Sequence, residues 1–237
     1  SNTETWFAYM FNQPSEHRGH KDFIVMADRY VDFNIKDASK VFFTSDTHFF
    51  HENILKSCHR PFSSINEMDS VLIDNWNKVV PQDGIVFHLG DFAWGNKLQM
   101  YQDLIPKLNG EIILIKGNHD EKNLPRNREE CLKLFKMILP QGYGKIEGRY
   151  VYLNHYPFLC YGGIYRGQKD LVYQLFGHVH SGKIQTGLDM PRMNLLLPTQ
   201  YDVGVDNNNY TPISWYDVAK KIETQVKNKK NMTMWWR

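Results

Sequence analysis

Short polar clusters rich in Asp, His and Asn recur along the chain, and their side chains could bind metal ions. The clusters are Asp46-Thr47-His48, Gly90-Asp91, Gly117-Asn118-His119-Asp120, Asn154-His155 and Gly177-His178-Val179-His180. They offer carboxylate, amide and imidazole donors without a thiolate, a set that suits Mn, Fe, Zn or Co better than a soft-metal site. Residues two apart on an extended backbone point the same way, so Asp46 with His48, and His178 with His180, are expected to chelate as pairs.

One carboxylate can bridge a pair of metal ions, and Asp91, which follows the middle predicted strand, is the natural candidate. Two ions about 3.5–4 Å apart would clamp a phosphate group and hold a hydroxide for in-line attack. Metal binding lowers the pKa of a bound water from ~15.7 towards ~7, so that it ionises near neutral pH. The clusters therefore favour hydrolysis of a phosphate ester.

Short apolar runs alternate with helical patterns from residue 41 onward, which is typical of an α/β fold. We predict a layered sandwich of mixed β-sheets flanked by helices. Strands are predicted at residues 41–44, 85–87, 112–115, 150–153, 171–176 and 203–205. Each polar cluster lies just after a predicted strand or in a turn, and side chains at the carboxyl ends of adjacent strands converge on one crevice.

Apolar side chains at helical spacing predict the helices that cover these sheets. Such stripes run over residues 68–80, 98–108, 131–138 and 215–226. Ser64 and Glu67 form a capping box before the first stripe, and Ser214 is the expected cap of the last.

The first 40 residues carry a weaker pattern. Residues 23–26 and 30–33 are expected to form a hairpin or an edge addition. No linker composition separates this segment from the rest of the chain. We therefore interpret residues 1–237 as a single domain, with residues 1–40 as an N-terminal addition whose role the sequence leaves open.

Composition and charge bound the class of protein. The chain has 237 residues, 42% hydrophobic and 23% charged, which is the profile of a soluble globular protein. A formal net charge of +2 is too small to argue for a nucleic-acid or membrane partner. Cys58, Cys131 and Cys160 form neither a disulfide framework nor a zinc motif. A reducing, cytoplasmic location is expected, because the N-terminus does not look like a secretion signal and no apolar stretch has membrane length.

The ordered set Asp-x-His, Gly-Asp, Gly-Asn-His-Asp, a later His and Gly-His-x-His resembles the motifs of the calcineurin-like metallophosphoesterase superfamily. The similarity spans about residues 41 to 206. Five further segments resemble those of a small bacterial and phage subgroup of that superfamily. They are SDTHFFH (45–51), Asn53-Ile54, Arg60-Pro61-Phe62, HLGDF (88–92) and VGVD (203–206). Each motif alone is weak, whereas five in the right order are specific.

The resemblance implies a role for each cluster residue. One ion would be held by Asp46, His48, the bridging Asp91 and His180, and the other by Asp91, Asn118, His155 and His178. His119 would not bind metal but would contact the phosphate and protonate the leaving oxygen. Two divalent cations are expected, with Mn as the first choice and Fe, Zn, Ni or Co as alternatives.

Many members of that superfamily carry a second Asp three residues after the Gly-Asp motif, and it orients the catalytic His. Trp94 occupies this position here, and Asp120, adjacent to His119, is the candidate for the orienting role. His51, three residues beyond His48, is a candidate either to support a metal ligand or to donate to the phosphate, with a solvated helix start as the alternative. Arg60 is a candidate phosphate ligand through its forked guanidinium, with a surface ion pair as the alternative.

Other signals have plainer interpretations. His17, His20, His59 and His88 are expected to be structural. Asp202 and Asp206 flank a predicted strand and either shape the crevice rim or form turns with Asn207-Asn208-Asn209. Cys160 and Arg166 have the spacing of cysteine-dependent phosphatases but lack the strand and helix that such a loop needs. The Lys-rich C-terminal segment is expected to be a solvated helix face, and Trp235 and Trp236 either fold back or contact a partner.

The substrate is left open among several classes. A small phosphomonoester or phosphodiester, such as a nucleotide or cyclic nucleotide, is the first expectation. A protein phosphatase is the second and a nuclease the third, because the net charge is nearly balanced. A metal-binding module that has lost catalysis is the rival from another class. No membrane partner is expected, and the oligomeric state is not indicated.

Overall fold

The computed structural model describes residues 23–27, 30–161, 172–182 and 190–231. The strands are β1 (Phe23–Ala27), β2 (Tyr30–Ile35), β3 (Val41–Thr44), β4 (Ile85–His88), β5 (Glu111–Ile115), β6 (Met137–Leu139), β7 (Gly142–Ile146), β8 (Arg149–Leu153), β9 (Val172–Phe176), β10 (Gln200–Asp202) and β11 (Ile213–Ser214). The helices are α1 (Glu52–Ser57), α2 (Ile65–Val79), α3 (Leu98–Leu104), α4 (Asp120–Asn123), α5 (Arg128–Leu134) and α6 (Trp215–Asn231). Short 3-10 helices lie at Ile105–Lys107, Met190–Leu195 and Val205–Asn207.

These strands form two mixed sheets. One has the order β11-β3-β4-β5-β6 and is parallel except for β11. The other has the order β1-β2-β7-β8-β9-β10, in which β8, β9 and β10 are parallel neighbours. The predicted α/β sandwich of mixed sheets flanked by helices is confirmed. In each sheet a run of parallel strands brings several carboxyl ends to one edge.

The core lies between the two sheets and is built from the apolar runs that predicted the strands. Phe33 of β2 packs against Phe87 of β4 with ring centroids 5.3 Å apart, so the two sheets are in direct contact. Phe43 stacks on Phe87 at 5.4 Å, and Trp215 of α6 packs against Phe43. A second apolar cluster covers the outer face of the five-stranded sheet with α2 and α3. The parallel strands β3, β4 and β5 are therefore buried on both faces, which explains their continuous apolar sequences.

The N-terminal segment forms the hairpin that its sequence predicted. β1 and β2 are antiparallel, and β1 is the edge strand of the six-stranded sheet. β2 pairs with β7 in parallel, and Val31, Phe33 and Ile35 are buried in the core. Residues 30–35 therefore complete the inner face of this sheet.

Two element predictions are wrong in detail. A strand was predicted at 203–205, but the strand of this region is β10, which ends at Asp202. Val205 instead begins a 3-10 helix. The helical stripe predicted over 131–138 ends at Leu134, since Ile138 lies in β6. Both errors arise because a short apolar run fits a strand, a helix end or a packed loop equally well.

The predicted helix starts are found. The Ser64 hydroxyl accepts the Glu67 N–H at 3.2 Å, while the Glu67 carboxylate accepts the N–H of Ser63 rather than that of Ser64. The Ser214 hydroxyl accepts the Asp217 N–H at 3.1 Å. None of the helices among the described residues is long and apolar enough to cross a membrane.

Candidate metal centre

The polar clusters meet at the edge where parallel strands of both sheets end. Asp46, His48, Asp91 and Asn118 follow β3, β4 and β5, and His155, His178 and His180 follow β8 and β9. Backbone hydrogen bonds extend the strand pairing into these loops, since Asp46 N–H donates to Gly90 C=O at 2.9 Å and Gly177 N–H to His155 C=O at 2.9 Å. Neighbouring loops are thereby held in register, and their side chains point into one space.

The first group of donors is formed by Asp46, His48 and His180. Each offers one ligand atom, and these three atoms lie within 4.8 Å of one another. His180 Nε2 is 3.7 Å from Asp46 Oδ1. Atoms that bind one ion at about 2.1 Å in adjacent positions lie roughly 3.0–3.4 Å apart, so a small contraction would place these donors around one cation.

The second group combines Asn118 with His155 and His178. Asn118 Oδ1 lies 2.9 Å from His155 Nε2 and 3.0 Å from His178 Nδ1. Asp46, Asp91 and His155 also offer atoms within 4.8 Å of one another, so the two groups are contiguous.

Asp91 lies between the two groups. Its Oδ2 is 3.6 Å from His48 Nε2 in the first group and 3.5 Å from His155 Nε2 in the second. Its Oδ1 accepts the His119 N–H at 2.9 Å, which fixes the carboxylate plane. One oxygen of Asp91 thus faces both sets of donors, the position that a bridging carboxylate needs.

Hydrogen bonds and burial indicate that these donors fit a cation. His48 Nε2 is buried and has no hydrogen-bond partner among the described residues, although a buried polar atom normally has one. His155 Nδ1–H donates to Leu89 C=O at 2.7 Å, which leaves Nε2 directed at Asp91. The orphaned nitrogen and the fixed tautomer are both features of imidazoles that bind metal.

Burial and the nearby carboxylates shift the pKa values of two histidines in opposite directions. Burial alone would lower the pKa of His155, yet the contact with Asp91 and the charge of Asp46 raise it to about 9. Burial and the neighbouring histidines hold the pKa of His48 well below its usual range. His155 Nε2 would have to be deprotonated to bind a cation, because metal ligands must be deprotonated.

The expectation of an extended backbone at the paired residues is wrong. Asp46, His48, His178 and His180 have φ of 57°, 50°, 71° and 46°, in the left-handed region. Asp91 has φ of 57°. Strained backbone of this kind costs about 1–3 kcal/mol per residue and is found at functional sites. The paired side chains converge because the loops turn, and not because a strand continues.

Comparisons with known proteins identify the family of this chain. The profile of the calcineurin-like phosphoesterase family matches residues 39–203. All seven candidate ligands lie within this range. The chain belongs to the calcineurin-like phosphoesterase family. Members of this family usually bind divalent metals, and the donor groups described above are candidate ligands for them.

The chain is also similar to individual proteins and to a solved structure. An uncharacterised protein of Methanocaldococcus jannaschii, MJ1445, is 35% identical over 185 residues, which cover 78% of this chain and 92% of that protein. The gene 66 protein of Mycobacterium phage L5 is 33% identical over 93 residues, or 38% of this chain and 44% of that protein. The solved structure of AQ665 from Aquifex aeolicus, a protein of unknown function, has a TM-score of 0.55 and 27% identity. The superposed region covers 76% of this chain and 97% of the AQ665 chain.

Arg60 does not occupy the substrate position that the sequence suggested. Its guanidinium is buried and forms a forked pair with Asp206, at 3.0 Å from Nε and 2.9 Å from NH2. The remaining N–H groups donate to Thr47 C=O at 2.9 Å, to Asp46 C=O at 2.6 Å and towards Met68 sulfur. Arg60 therefore holds the backbone of the loop that carries Asp46 and Thr47, and it is not placed to bind phosphate.

Asp206 is a functional residue that the sequence left open between two roles. It accepts the forked pair from Arg60, and His180 Nδ1–H donates to its Oδ2 at 2.8 Å. The second bond turns His180 Nε2 towards Asp46. Its place in the VGVD segment was the only sequence signal for this role.

Asp120 does not orient the His119 ring as the sequence suggested. It is fully buried and accepts the N–H groups of Asp91, Phe92 and Gly117 at 2.8, 3.0 and 2.7 Å. Burial raises the pKa of Asp120 to about 6, and the charge of Asp91 adds to this. Asp120 thus joins the loop after β4 to the loop after β5 and is a positioning residue for Asp91.

His119, His51 and Trp94 line the open side of the site. The His119 side chain is 39% exposed, and its Nε2 lies 4.0 Å from Asp91 Oδ2. The His51 ring stacks on Trp94 at 3.9 Å, and its Nδ1 is 3.1 Å from His48 Nδ1. Trp94 also packs against the His119 ring at 5.3 Å. Where many family members carry an Asp, this chain places an indole against both histidines.

His88 is structural, as the sequence predicted. Gly90 N–H donates to its Nδ1 at 3.2 Å, so Nε2–H donates to the Thr47 hydroxyl at 2.9 Å. That hydroxyl in turn donates to Phe92 C=O at 2.7 Å. Burial lowers the pKa of His88 to about 3, which keeps the ring neutral.

Several sequence interpretations fall on parts of the chain that the structure does not describe. These are His17, His20, Arg166, Trp235 and Trp236. Cys58 and Cys131 are buried and Cys160 is exposed, and none of the three forms a disulfide with another described residue.

Proposed function

We propose that the chain is a phosphoesterase that depends on two divalent cations and hydrolyses a small phosphomonoester or phosphodiester. The observation that carries the proposal is the position of Asp91 Oδ2, at 3.6 and 3.5 Å from ligand nitrogens of two separate donor groups. A carboxylate oxygen shared in this way is the feature that distinguishes a two-metal site from a single one. Mn is the proposed cation, since the mixed oxygen and nitrogen donors suit it.

The donor groups would divide between the two cations as follows. Asp46, His48, Asp91 and His180 would hold one, and Asp91, Asn118, His155 and His178 the other. When bound, the cations would supply Lewis acidity, which stabilises charge on the phosphoryl oxygens and lowers the pKa of water. The protein supplies orientation, because Asp206 and Leu89 C=O fix the planes of His180 and His155.

His119 is the proposed general acid. Its N–H is tied to Asp91 Oδ1 at 2.9 Å, so the residue is anchored while its ring stays partly exposed beside the donors. Nε2 is the nitrogen that lies near Asp91 Oδ2, and we propose that it gives a proton to the leaving oxygen of the ester. His51 is proposed to contact the phosphate from the same side, since its stack on Trp94 fixes its ring.

The test is turnover of aryl phosphate mono- and diesters by the purified protein after addition of Mn²⁺, with metal content measured on the same sample. We expect hydrolysis with two bound ions per chain. His119→Ala should keep both ions and lose roughly 10²–10⁴-fold in kcat. His59→Ala, which removes an exposed histidine outside the site, is the matched control and should retain the rate.

Two results would contradict the proposal. Binding of a single ion would remove the two-metal site, and absence of turnover on every ester with both ions bound would leave a metal-binding module. Phosphopeptides and single-stranded nucleic acid belong in the same substrate panel. A rate on either that exceeds the rate on small esters would move the activity to a protein phosphatase or a nuclease.

A further inference from the structure

A cavity of about 340 Å³ opens beside the metal centre. It lies between the loop after β8, the loop after β9 and the segment around the 3-10 helix Met190–Leu195. Its lining consists of Tyr156, Pro157, Phe158, Leu159, His178, Val179, Arg192, Met193, Leu195 and Leu196. Arg192 is the one permanently charged residue in this set, so the lining is largely apolar.

The cavity and the metal centre share a wall. His178 lines the cavity, and its Nδ1 lies 3.0 Å from Asn118 Oδ1 in the second donor group. The Tyr156 ring packs edge-on against the rings of His155 and His178, with centroids 5.1 and 4.7 Å apart. A group attached to a phosphate at the metal centre would therefore lie next to residues that line the cavity.

The apolar side chains of this cavity are exposed to an unusual degree. Leu159 is 78% exposed, Leu195 is 69% exposed and Tyr156 is 45% exposed. Leu159 and Leu195 are the two most exposed large hydrophobic residues among those that the structure describes. Exposed apolar surface that is gathered at one place marks a binding site, whereas single exposed residues do not.

We propose that this cavity binds the organic group of the substrate, and that this group is apolar and about the size of an aromatic ring. The inference rests on the proposed function, because the phosphate is taken to lie at the metal centre. A volume of about 340 Å³ is at the lower end of small-molecule pockets, which run from roughly 300 to 1,000 Å³. It suits a ring or a short apolar chain, and it is too small for a folded protein segment.

The test measures binding and not turnover. Phenylphosphonate and methylphosphonate have the same metal-binding head and differ in the group that would enter the cavity. We expect the Mn²⁺-loaded protein to bind phenylphosphonate at least tenfold more tightly by calorimetry. Leu159→Ser and Leu195→Ser should each reduce that preference severalfold, and Leu159→Trp should reduce it by filling the space.

Leu132→Ser is the matched control, since Leu132 is also an exposed leucine, at 50%, but lies on α5 outside the cavity. It should leave the preference unchanged. Equal affinity for the two phosphonates would overturn this inference alone, as would a preference that Leu159→Ser and Leu195→Ser leave intact. A preference lost in Trp94→Ala instead would place the organic group on the opposite side of the site. Binding of neither phosphonate would overturn both this inference and the proposed function.

Discussion

Asp206 shows how much a single carboxylate can fix in this protein. It accepts the His180 Nδ1–H at 2.8 Å and the forked guanidinium of Arg60, which in turn donates to Asp46 C=O. The carboxylate thus orients one candidate ligand directly and the loop of a second through Arg60. Burial would raise the pKa of Asp206, but the charge of Arg60 and the bond from His180 hold it below its usual range. Asp206 is therefore ionised at neutral pH.

Asp206→Asn should weaken metal binding by roughly 10–100-fold, because a neutral amide accepts the His180 Nδ1–H more weakly than a carboxylate and does not increase the basicity of the ring. Calorimetric titration with Mn²⁺ measures the change. Asp83→Asn is the matched control, since Asp83 is exposed and its ion pair with Lys40 lies at the surface. The variant also leaves Arg60 buried with a weaker partner, so a thermal melt should accompany the titration. An unchanged affinity in folded protein would contradict the role assigned to Asp206.

At the residue scale, the sequence predicts which side chains gather and fails to predict what some of them do there. The seven candidate ligands were identifiable because they occur as short motifs after strands, and strand ends converge. The pairing of Arg60 with Asp206 was not predictable, since the two residues are 146 positions apart in the sequence. Asp120 adjoins His119 in sequence, yet its carboxylate faces three backbone N–H groups instead. Adjacency in the chain does not determine the direction of a side chain.

At the scale of elements, the loops that follow the strands depend on glycines packed against the candidate ligands. A Cβ on Gly177 would lie 2.0 Å from Ser45 Oγ and 2.4 Å from Asp46 Oδ2. A Cβ on Gly117 would lie 2.2 Å from Asp91 Oδ1. Gly117 and Gly177 are thus required because the carboxylate of a neighbouring loop lies directly against each of them.

Gly177→Ala should abolish tight metal binding, because the methyl group would displace Asp46 from the position that faces His180. We expect a loss of at least 100-fold in Mn²⁺ affinity by calorimetry, with helix and strand content retained by circular dichroism. Gly148→Ala is the control. A Cβ there meets nothing within 4 Å, although φ of +80° makes the change cost about 1 kcal/mol of stability. Metal affinity equal to that of the parent in Gly177→Ala would show that the loops yield.

Helix α2 supports the same edge through Asp69. Both of its oxygens accept the Phe50 N–H, at 3.2 and 3.3 Å, in the loop that carries His48. Burial raises the pKa of Asp69 to about 6 from an ordinary value of 3.8. As pH rises, the unfolded chain loses this proton before the folded protein does. The contribution of Asp69 to stability is therefore fully present below about pH 4 and is lost as pH rises through 6.

Asp69→Asn removes this titration and keeps an oxygen for Phe50 N–H. Relative to the variant, the parent should lose on the order of 1–2 kcal/mol of unfolding free energy between pH 4 and 6. Urea unfolding of the metal-free parent and variant at several pH values measures the difference between their free energies of unfolding. The titration of the other carboxylates is common to both proteins and cancels in this difference. A difference that is constant from pH 4 to 7 would contradict the raised pKa.

The strands were predictable where apolar runs are long and both faces are buried, as in β3, β4 and β5. β7 was missed because Gly142 and Gly144 interrupt its pattern. A Cβ on Gly144 would lie 2.1 Å from Phe33 C=O oxygen, so the close approach of β2 requires glycine there. Local composition opposed the strand, and the pairing of two distant segments decided it.

At the scale of the whole molecule, the candidate metal centre connects the two sheets. Asp46, His48, Asp91 and Asn118 belong to loops of the five-stranded sheet. His155, His178 and His180 belong to loops of the six-stranded sheet. A cation bound by both sets would hold the sheets together at this edge, in addition to the apolar core between them. Metal binding and global stability should therefore be coupled.

Addition of Mn²⁺ at 100 times its dissociation constant should raise the free energy of unfolding by about 2.7 kcal/mol for one site, and a chelator should reverse the gain. Thermal melts over a series of Mn²⁺ concentrations measure it. His178→Ala removes a ligand from one sheet and should lose most of the gain. Phe87→Ala disrupts the core between the sheets and should cost roughly 3–5 kcal/mol with and without metal, while keeping the gain. If His178→Ala responded to Mn²⁺ as the parent does, His178 would not be a ligand that connects the sheets through a cation.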